Sequence, residues 1–387
     1  MINLATIFSG IGAPEFALHR LGVSHRTVLA CDNGDVPLLG DVDIGNVKKL
    51  IRSLSSFEEE KAFVDELYEK HSRKHNYVKD TYLLNYSKQE PDVASHYFLD
   101  VMLLNGLPLR NKVDLFIGGS PCQSFSSVGA QKGFNDSRGD LFFEFCRLVD
   151  EIRPKVFIYE NVNGIRGSKK NRDSGVWKTM AARFNELPYK WWMDSLNAKD
   201  FGIPQVRNRI FVVGFLDEAY MNAFRAPSVV SPCPYKMSDF LITHVKEGGF
   251  SFSKSKDSRG GLVLLQEPGQ EQERFILTPA VKKYVLTPGT KNWSTKIETD
   301  REIARTLLST MGNHHRAGVD NYVTTAKGDL RALSPRECLR LMGFTDDFEM
   351  RVSVPNQYRQ IGNSMVVDVV MALLKSVFAT GVFGQLN

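Results

Sequence analysis

Four side chains in this 387-residue chain carry usable chemistry: Cys122, Glu160, Arg207 and Arg209. Cys122 follows the apolar run Leu115-Phe116-Ile117 and the breakers Gly118-Gly119-Ser120-Pro121. A buried strand that breaks in this way ends in a tight loop and presents its cysteine. Cysteine is more often a core residue, but Gln123, Ser126, Gly129, Gln131, Lys132, Gly133, Asn135 and Asp136 are too polar and glycine-rich to cover a core. Cys122 is therefore a candidate nucleophile on a loop held by a rigid scaffold. Glu160 ends the strand-like Lys155-Val156-Phe157-Ile158-Tyr159. At the end of a strand beside the cysteine strand, it would point into the same crevice. In Gln205-Val206-Arg207-Asn208-Arg209, alternation predicts one strand with Gln205, Arg207 and Arg209 on one face. Taken alone, such arginines are more often solvated than functional.

Groups that meet at strand ends need a sheet to position them. Leu4-Ala5-Thr6-Ile7-Phe8 reads as a strand, Ser9-Gly10-Ile11-Gly12-Ala13-Pro14 as a turn, and the residues from Glu15 to Leu21 as a helix. That unit opens a doubly wound cofactor-binding sheet. It is not the dinucleotide fingerprint, because Glu15 stands where the third glycine belongs, which argues against a dehydrogenase. A second strand, 27–31, ends in Asp32, where such folds hold ribose hydroxyls, and a third short segment, 97–101, carries Asp100. Residues 34–76 read as an inserted helical excursion with an acidic first turn at Glu58, Glu59 and Glu60, its charge solvated. Helices are expected over 77–86 and 141–152, and a strand pair over 191–196 and 209–215.

Composition narrows the classes. The 42% hydrophobic content suits a core, and the length suits one large domain plus a smaller one. No run of 18 apolar residues occurs and the N-terminus lacks a basic-then-apolar leader, which predicts a soluble cytoplasmic protein. Five scattered cysteines argue against both a zinc site and a disulfide framework. A net charge of +5 and a pI near 8.8 permit nucleic-acid binding without requiring it.

The strings Phe8-x-Gly10-x-Gly12, Pro121-Cys122-Gln123, Glu160-Asn161-Val162 and Gln205-x-Arg207-x-Arg209, in this order, resemble the ordered motifs of the bacterial DNA cytosine-5 methyltransferases of restriction-modification systems. Two later strings, the run from Arg331 to Cys338 and Gln357-x-x-x-x-Gly362-Asn363-Ser364, resemble that family's last two motifs. The resemblance implies an α/β fold: a doubly wound, mostly parallel sheet of the Rossmann-like class I S-adenosylmethionine-dependent methyltransferases, with a smaller target recognition domain. The implied division is 1–215 catalytic, with the 34–76 insertion, 216–330 target recognition, 331–356 late motif and hinge, and 357–387 returning to the catalytic domain.

By the same resemblance, S-adenosylmethionine is the methyl donor, no metal is needed, and the acceptor is a cytosine flipped out of double-stranded DNA. Cys122 would add to carbon 6 of the base, Glu160 would protonate N3, and Arg207 and Arg209 would supply positive charge, with Arg209 reaching the base carbonyl oxygen. Phe8, Gly10, Ile11, Gly12, Asp32, Asn33, Asp100, Val101, Leu141, Asn363 and Ser364 would bind the donor. The Asp32-Asn33 pair departs from the family's usual glutamate followed by a bulky apolar residue. Gln123, Ser126, Arg138, Thr306, Leu307 and Arg316 would contact DNA, while Lys254, Lys256, Arg259, Lys282, Lys283 and Lys291 suit phosphates. A cognate restriction endonuclease is the implied functional partner, with a monomeric enzyme and no stable complex. Two alternatives stand beside this reading: a transfer-RNA cytosine methyltransferase and a non-catalytic DNA-binding relative.

Overall fold

Short apolar runs punctuated by glycine and acid become the strands of a seven-stranded sheet. The computed structural model describes residues 1–40, 42–121, 140–167, 175–242, 273–290 and 293–384. The chain divides into two compact units, 1–196 with 208–227 and 373–387, and 197–207 with 228–372.

In the first unit, β1 (Ile2–Ile7) lies at the centre, followed by α1 (Ala13–Leu21) and β2 (His25–Cys31). The insertion contributes α2 (Ile44–Ile51) and α3 (Phe57–His71), and α4 (Tyr77–Tyr86) leads on to β3 (Tyr97–Phe98) and β4 (Leu115–Gly118). After α5 (Asp140–Ile152) come β5 (Val156–Val162), α6 (Gly175–Glu186), β6 (Lys190–Asn197) and β8 (Asn208–Phe215), with α7 (Glu218–Ala223) following; the two-residue β7 (Gln205–Val206), between β6 and β8 in the chain, belongs to the second unit.

The sheet order is β3-β2-β1-β4-β5-β8-β6. The pairs β1–β2, β2–β3, β1–β4 and β4–β5 are parallel, and β5–β8 is antiparallel. The strand order reverses between β1 and β4, so the carboxyl ends of those two strands flank the switch point at which such sheets bind ligands. The loop after β1 is the glycine turn, and the loop after β4 leads to Cys122. Burial on both faces explains the unbroken apolar run Leu115-Phe116-Ile117 of β4.

An aromatic cluster fixes α5 and α6 against β4 and β5. Phe116, Phe142, Phe145, Phe157, Tyr159 and Phe184 lie with ring centroids 4.8 to 5.9 Å apart. Each pair adds roughly 0.5–1.5 kcal/mol beyond its buried area, so the strand ends beside Glu160 rest on a stiff floor.

The second unit contains β7, α8 (Pro279–Val285), β9 (Gly289–Thr290), β10 (Trp293–Ser294), β11 (Ala304–Arg305), β12 (Tyr322–Thr324), β13 (Leu330–Ala332), α9 (Pro335–Leu341) and α10 (Val354–Asn363); α11 (Val367–Phe378) runs out of it. Leu277, Val285, Ala317, Tyr322, Leu330 and Ala332 form one of its cores. Ser334 caps α9 in a reciprocal capping box with Glu337. Glu337 is fully buried, and Arg331 donates to both of its oxygens at 2.8 Å, which is how a carboxylate can sit there. The stretch Val354–Phe378 has the length and hydropathy of a membrane span, but it is interrupted between Asn363 and Val367 and 61% of the window is buried, as in a core helix.

Candidate active site

Three backbone positions in the left-handed region shape the turn after β1: Phe8 (φ 53°), Gly10 (φ 54°) and Gly12 (φ 79°). Gly12 caps α1, and a Cβ there would stand 2.3 Å from the Tyr86 ring, so the turn packs directly on α4. The Tyr86 hydroxyl donates to the carbonyls of Ile11 and Gly12. Beneath the turn, Glu15 is fully buried, and one of its oxygens accepts from Thr6 (2.7 Å) and Tyr82 (2.9 Å). Burial pushes this carboxyl up to about 7. Glu15 is thus a brace for the turn, and the sequence signal for it was the acid standing in the fingerprint's third glycine position.

Two carboxylates stand just beyond the ends of the adjacent strands β2 and β3. Asp32 accepts from the backbone N–H of Gly10 (2.9 Å) and of Gly34 (2.8 Å), which ties it to the glycine turn. Asp100 accepts from the Tyr68 hydroxyl (2.8 Å) and the Met102 N–H (2.9 Å). Burial raises the Asp100 carboxyl, and those two hydrogen bonds oppose it. Asn33 and Leu141 are partly exposed, Ile11 and Val101 are buried, and the Asn33 side chain accepts from the Asp35 N–H.

At the next strand ends, Ser120, Tyr159 and Asn161 form a buried cluster. Ser120 Oγ lies 2.7 Å from the Tyr159 hydroxyl, and Asn161 Nδ2 donates to that hydroxyl at 2.6 Å and to Ser120 Oγ at 3.3 Å. The chain leaving β4 toward Cys122 is thereby clamped to β5, in the parallel register that pairs Gly118 with Tyr159. Glu160, next along β5, meets Arg209 of β8, Nε to Oε1 at 3.2 Å, with side chains 14% and 18% exposed. In the antiparallel register Arg209 lies opposite Val162, so Glu160 and Arg209 are diagonal neighbours on one face.

Gln205, Arg207 and Arg209 do not share one strand face. β7 stops at Val206 and β8 starts at Asn208, because the chain turns at Arg207: its carbonyl accepts from the Ala198 N–H and its N–H donates to the Asn197 side chain. Arg207 is 4% exposed, and its guanidinium donates to the carbonyls of Leu307 (2.9 Å), Gly362 (2.9 Å) and Ser364 (2.8 Å). Gln205 bonds Leu307 N–H and the Leu341 carbonyl.

Leu307 is therefore a buried residue, while Thr306 is partly exposed and its hydroxyl donates to the Val206 carbonyl. Asn363 is exposed and Ser364 buried. The Arg316 guanidinium lies 4.9 Å from the Tyr284 ring. Cys122, Gln123, Ser126 and Arg138 lie outside the described residues.

The glycine turn, Asp32, Asp100, Glu160 and Arg209 now have positions at the strands of the seven-stranded sheet, and comparison with known proteins assigns the chain. The family described as C-5 cytosine-specific DNA methylase matches residues 64–379. The chain belongs to that family. The type II methyltransferase M.HhaI of Haemophilus parahaemolyticus is 34% identical over 267 residues, covering 68% of this chain and 75% of the relative. M.SsoII of Shigella sonnei is 32% identical, over 69% of this chain and 64% of its own length. Among solved structures, the S. pombe Dnmt2 methyltransferase superposes with a TM-score of 0.62 at 16% identity, covering 98% of each chain. A putative DNA modification methyltransferase from an E. coli prophage gives 0.57 at 20% identity, over 98% of this chain and 99% of its own. At these identities the superpositions speak to the fold alone, a class I methyltransferase sheet. Family membership makes the protein a DNA cytosine-5 methyltransferase of restriction-modification type. Its family implies S-adenosylmethionine as donor and DNA as acceptor.

Proposed function

We propose that the chain methylates carbon 5 of one cytosine in a short sequence of double-stranded DNA, after the base is flipped out, through a covalent bond from Cys122. The observation that carries this reading is the Glu160–Arg209 pair standing beside the cluster that clamps Ser120, two residues before Cys122 in the chain. Flipping the target costs a few kcal/mol, which contacts to the extruded base must offset.

Carbon 5 of cytosine is a poor nucleophile because attack from it breaks the aromatic ring. Addition of the Cys122 thiolate to carbon 6, with a proton placed on N3, turns the base into an enamine whose carbon 5 can accept a methyl group. Loss of the carbon 5 proton to a base then expels the thiolate, and return of the N3 proton to the Glu160 carboxylate restores the neutral aromatic ring. Glu160 supplies the N3 proton. In the free protein Glu160 is paired with Arg209; when Arg209 turns to the base carbonyl oxygen, Glu160 loses its cation and takes up the proton it donates. Among the described cysteines, burial raises the thiols of Cys31, Cys146 and Cys338, Cys146 to about 12, which unfits them as nucleophiles.

The donor fits the residues at the β1, β2 and β3 ends. S-adenosylmethionine supplies the activated methyl group when bound. Its ribose hydroxyls and adenine amino group are hydrogen-bond donors, and Asp32 and Asp100 are oriented acceptors on neighbouring strands. Phe8, Gly10, Ile11 and Gly12 form the adjoining turn, and Asn33, Val101 and Leu141 complete the donor set within this unit. Arg207 braces the final motif by holding Gly362 and Ser364.

Residues 216–330 serve target recognition, with Arg316 and Thr306 toward DNA and Gln123, Ser126 and Arg138 acting from the cysteine loop. The enzyme works in the cytoplasm as a monomer and protects host DNA from a cognate endonuclease. Bisulfite sequencing of a mixed-sequence plasmid, after incubation with protein and donor beside a Cys122→Ala control, tests the reading. Protected cytosines in one repeated context, absent from the control, support it. Unmodified DNA in both, with donor demonstrably bound, refutes it and points to transfer RNA.

A further inference from the structure

The 34–76 excursion does not stand apart as a solvated arm. Its two ends close on Asp32: Gly34 N–H donates to the Asp32 carboxylate, and Asn76, the cap of α4, donates from Nδ2 to the Asp32 carbonyl at 2.9 Å. Its body is fastened along its length. Phe57 packs on Phe98 of β3 with centroids 5.9 Å apart, Glu60 is fully buried and accepts from Asn105 at 2.8 Å, and Lys48 and Arg52 pair with Glu144 and Glu151 of α5. From α3, the 7%-exposed Tyr68 donates its hydroxyl to Asp100.

We infer that the excursion is a working wall of the donor site, in which Tyr68 is a positioning residue that holds the Asp100 carboxylate for the donor's adenine amino group. The inference rests on the donor reading given above and deepens it. A carboxylate offers about four acceptor positions. Tyr68 and Met102 N–H take one on each oxygen, which fixes the group's rotation and leaves acceptor capacity in a set direction. Without Tyr68 the carboxylate is held at one oxygen only. The charged and titratable groups facing Asp100 are Lys48 of α2, Glu144 of α5, Tyr68 of α3 and the Cys31 thiol at the end of β2. Tyr68 is a bond donor to the ionised form, so its removal shifts Asp100 protonation to higher pH. Donor affinity is then lost earlier as pH falls.

The test is calorimetric titration of the full chain with S-adenosylhomocysteine, which binds without turnover. Wild type, Tyr68→Phe, Asp100→Asn, the double variant and Lys70→Ala, an exposed control, are compared at pH 8 and pH 6. Tyr68→Phe is expected to raise Kd by about tenfold at pH 8, the scale of one hydrogen bond to a charged group, and by more at pH 6. In the Asp100→Asn background the same change is expected to have almost no effect, a coupling that general loss of stability would not produce. Lys70→Ala leaves Kd unchanged. If Asp100→Asn weakens binding and Tyr68→Phe does not, or if Tyr68→Phe weakens it equally in both backgrounds, the role of Tyr68 is overturned while the donor reading stands. If neither single variant changes Kd, the donor reading at Asp100 falls and the inference falls with it.

Discussion

Replacing Arg207 with alanine removes three hydrogen bonds at once, to the carbonyls of Leu307, Gly362 and Ser364, from a side chain that is 4% exposed. Each buried carbonyl left without a donor costs about 1–3 kcal/mol, and water entering the vacated space recovers part of it, so the second unit should lose about 3–5 kcal/mol. The chain has two units, so a single unfolding midpoint is a poor reporter; hydrogen exchange read by peptide is better. Peptides spanning 304–309 and 360–366 should exchange faster by more than about a hundredfold, at 1.4 kcal/mol per tenfold, while peptides of β1 and β4 stay protected. Arg207→Lys keeps the charge but not the planar fork, and should recover less than half of the protection. Unchanged exchange in Arg207→Ala would refute the bracing role. Full recovery by lysine would show that charge, not the fork, is what matters there.

Glu160→Gln should bind donor and DNA with near-wild-type affinity and transfer methyl groups about 10²–10⁴-fold more slowly, as measured by single-turnover tritium transfer. Equal rates would remove Glu160 as the proton donor. Glu15 has its carboxyl raised by burial from 4.5 to about 7, so the native state binds the proton more tightly than the unfolded one. The resulting stability is complete below about pH 4.5 and is lost as pH rises to about 7, amounting to about 3 kcal/mol. Melting temperature followed from pH 5 to pH 8 should therefore shift in favour of Glu15→Gln relative to wild type, and parallel curves would contradict this. Gly362→Ala should destabilise by more than about 2 kcal/mol in chemical denaturation despite alanine's better helix propensity. The added Cβ would lie 2.2 Å from the Ser309 backbone nitrogen, and backbone cannot step aside as a side-chain tip can.

Legibility followed sequence distance. The glycine turn, Asp32 and Glu160 were readable because each sits where a short apolar run meets a breaker or an acid, a pattern complete within ten residues. Arg207 was not, because its carbonyl partners lie 100 to 157 positions away and carbonyls carry no residue-type signal. Local alternation therefore suggested a shared strand face, and the turn at Arg207 broke it. Leu307, singled out as a DNA contact, has a buried side chain and uses its backbone to meet Gln205 and Arg207. Its apolar type was a hint that the motif there is structural. Tyr68 carried no signal at all: a tyrosine on an amphipathic helix looks like packing until its hydroxyl is found on Asp100. In the sequence Glu15 reads only as a missing glycine, although an acid in an otherwise apolar first turn is a cue to a buried network.

Covalent catalysis by Cys122 is the central claim, and a target base bearing fluorine at carbon 5 tests it most directly, since there is then no proton to remove and the thiolate cannot be expelled. The protein, S-adenosylmethionine and mixed-sequence duplex DNA containing 5-fluorocytosine are incubated and resolved under denaturing conditions, beside Cys122→Ala. The account predicts a denaturant-stable protein–DNA species that requires the donor, is absent from the alanine variant, and maps by peptide mass to Cys122. DNA methylated by the wild-type enzyme on ordinary cytosine, with no adduct to the fluorinated base or with an adduct to another residue, would contradict it.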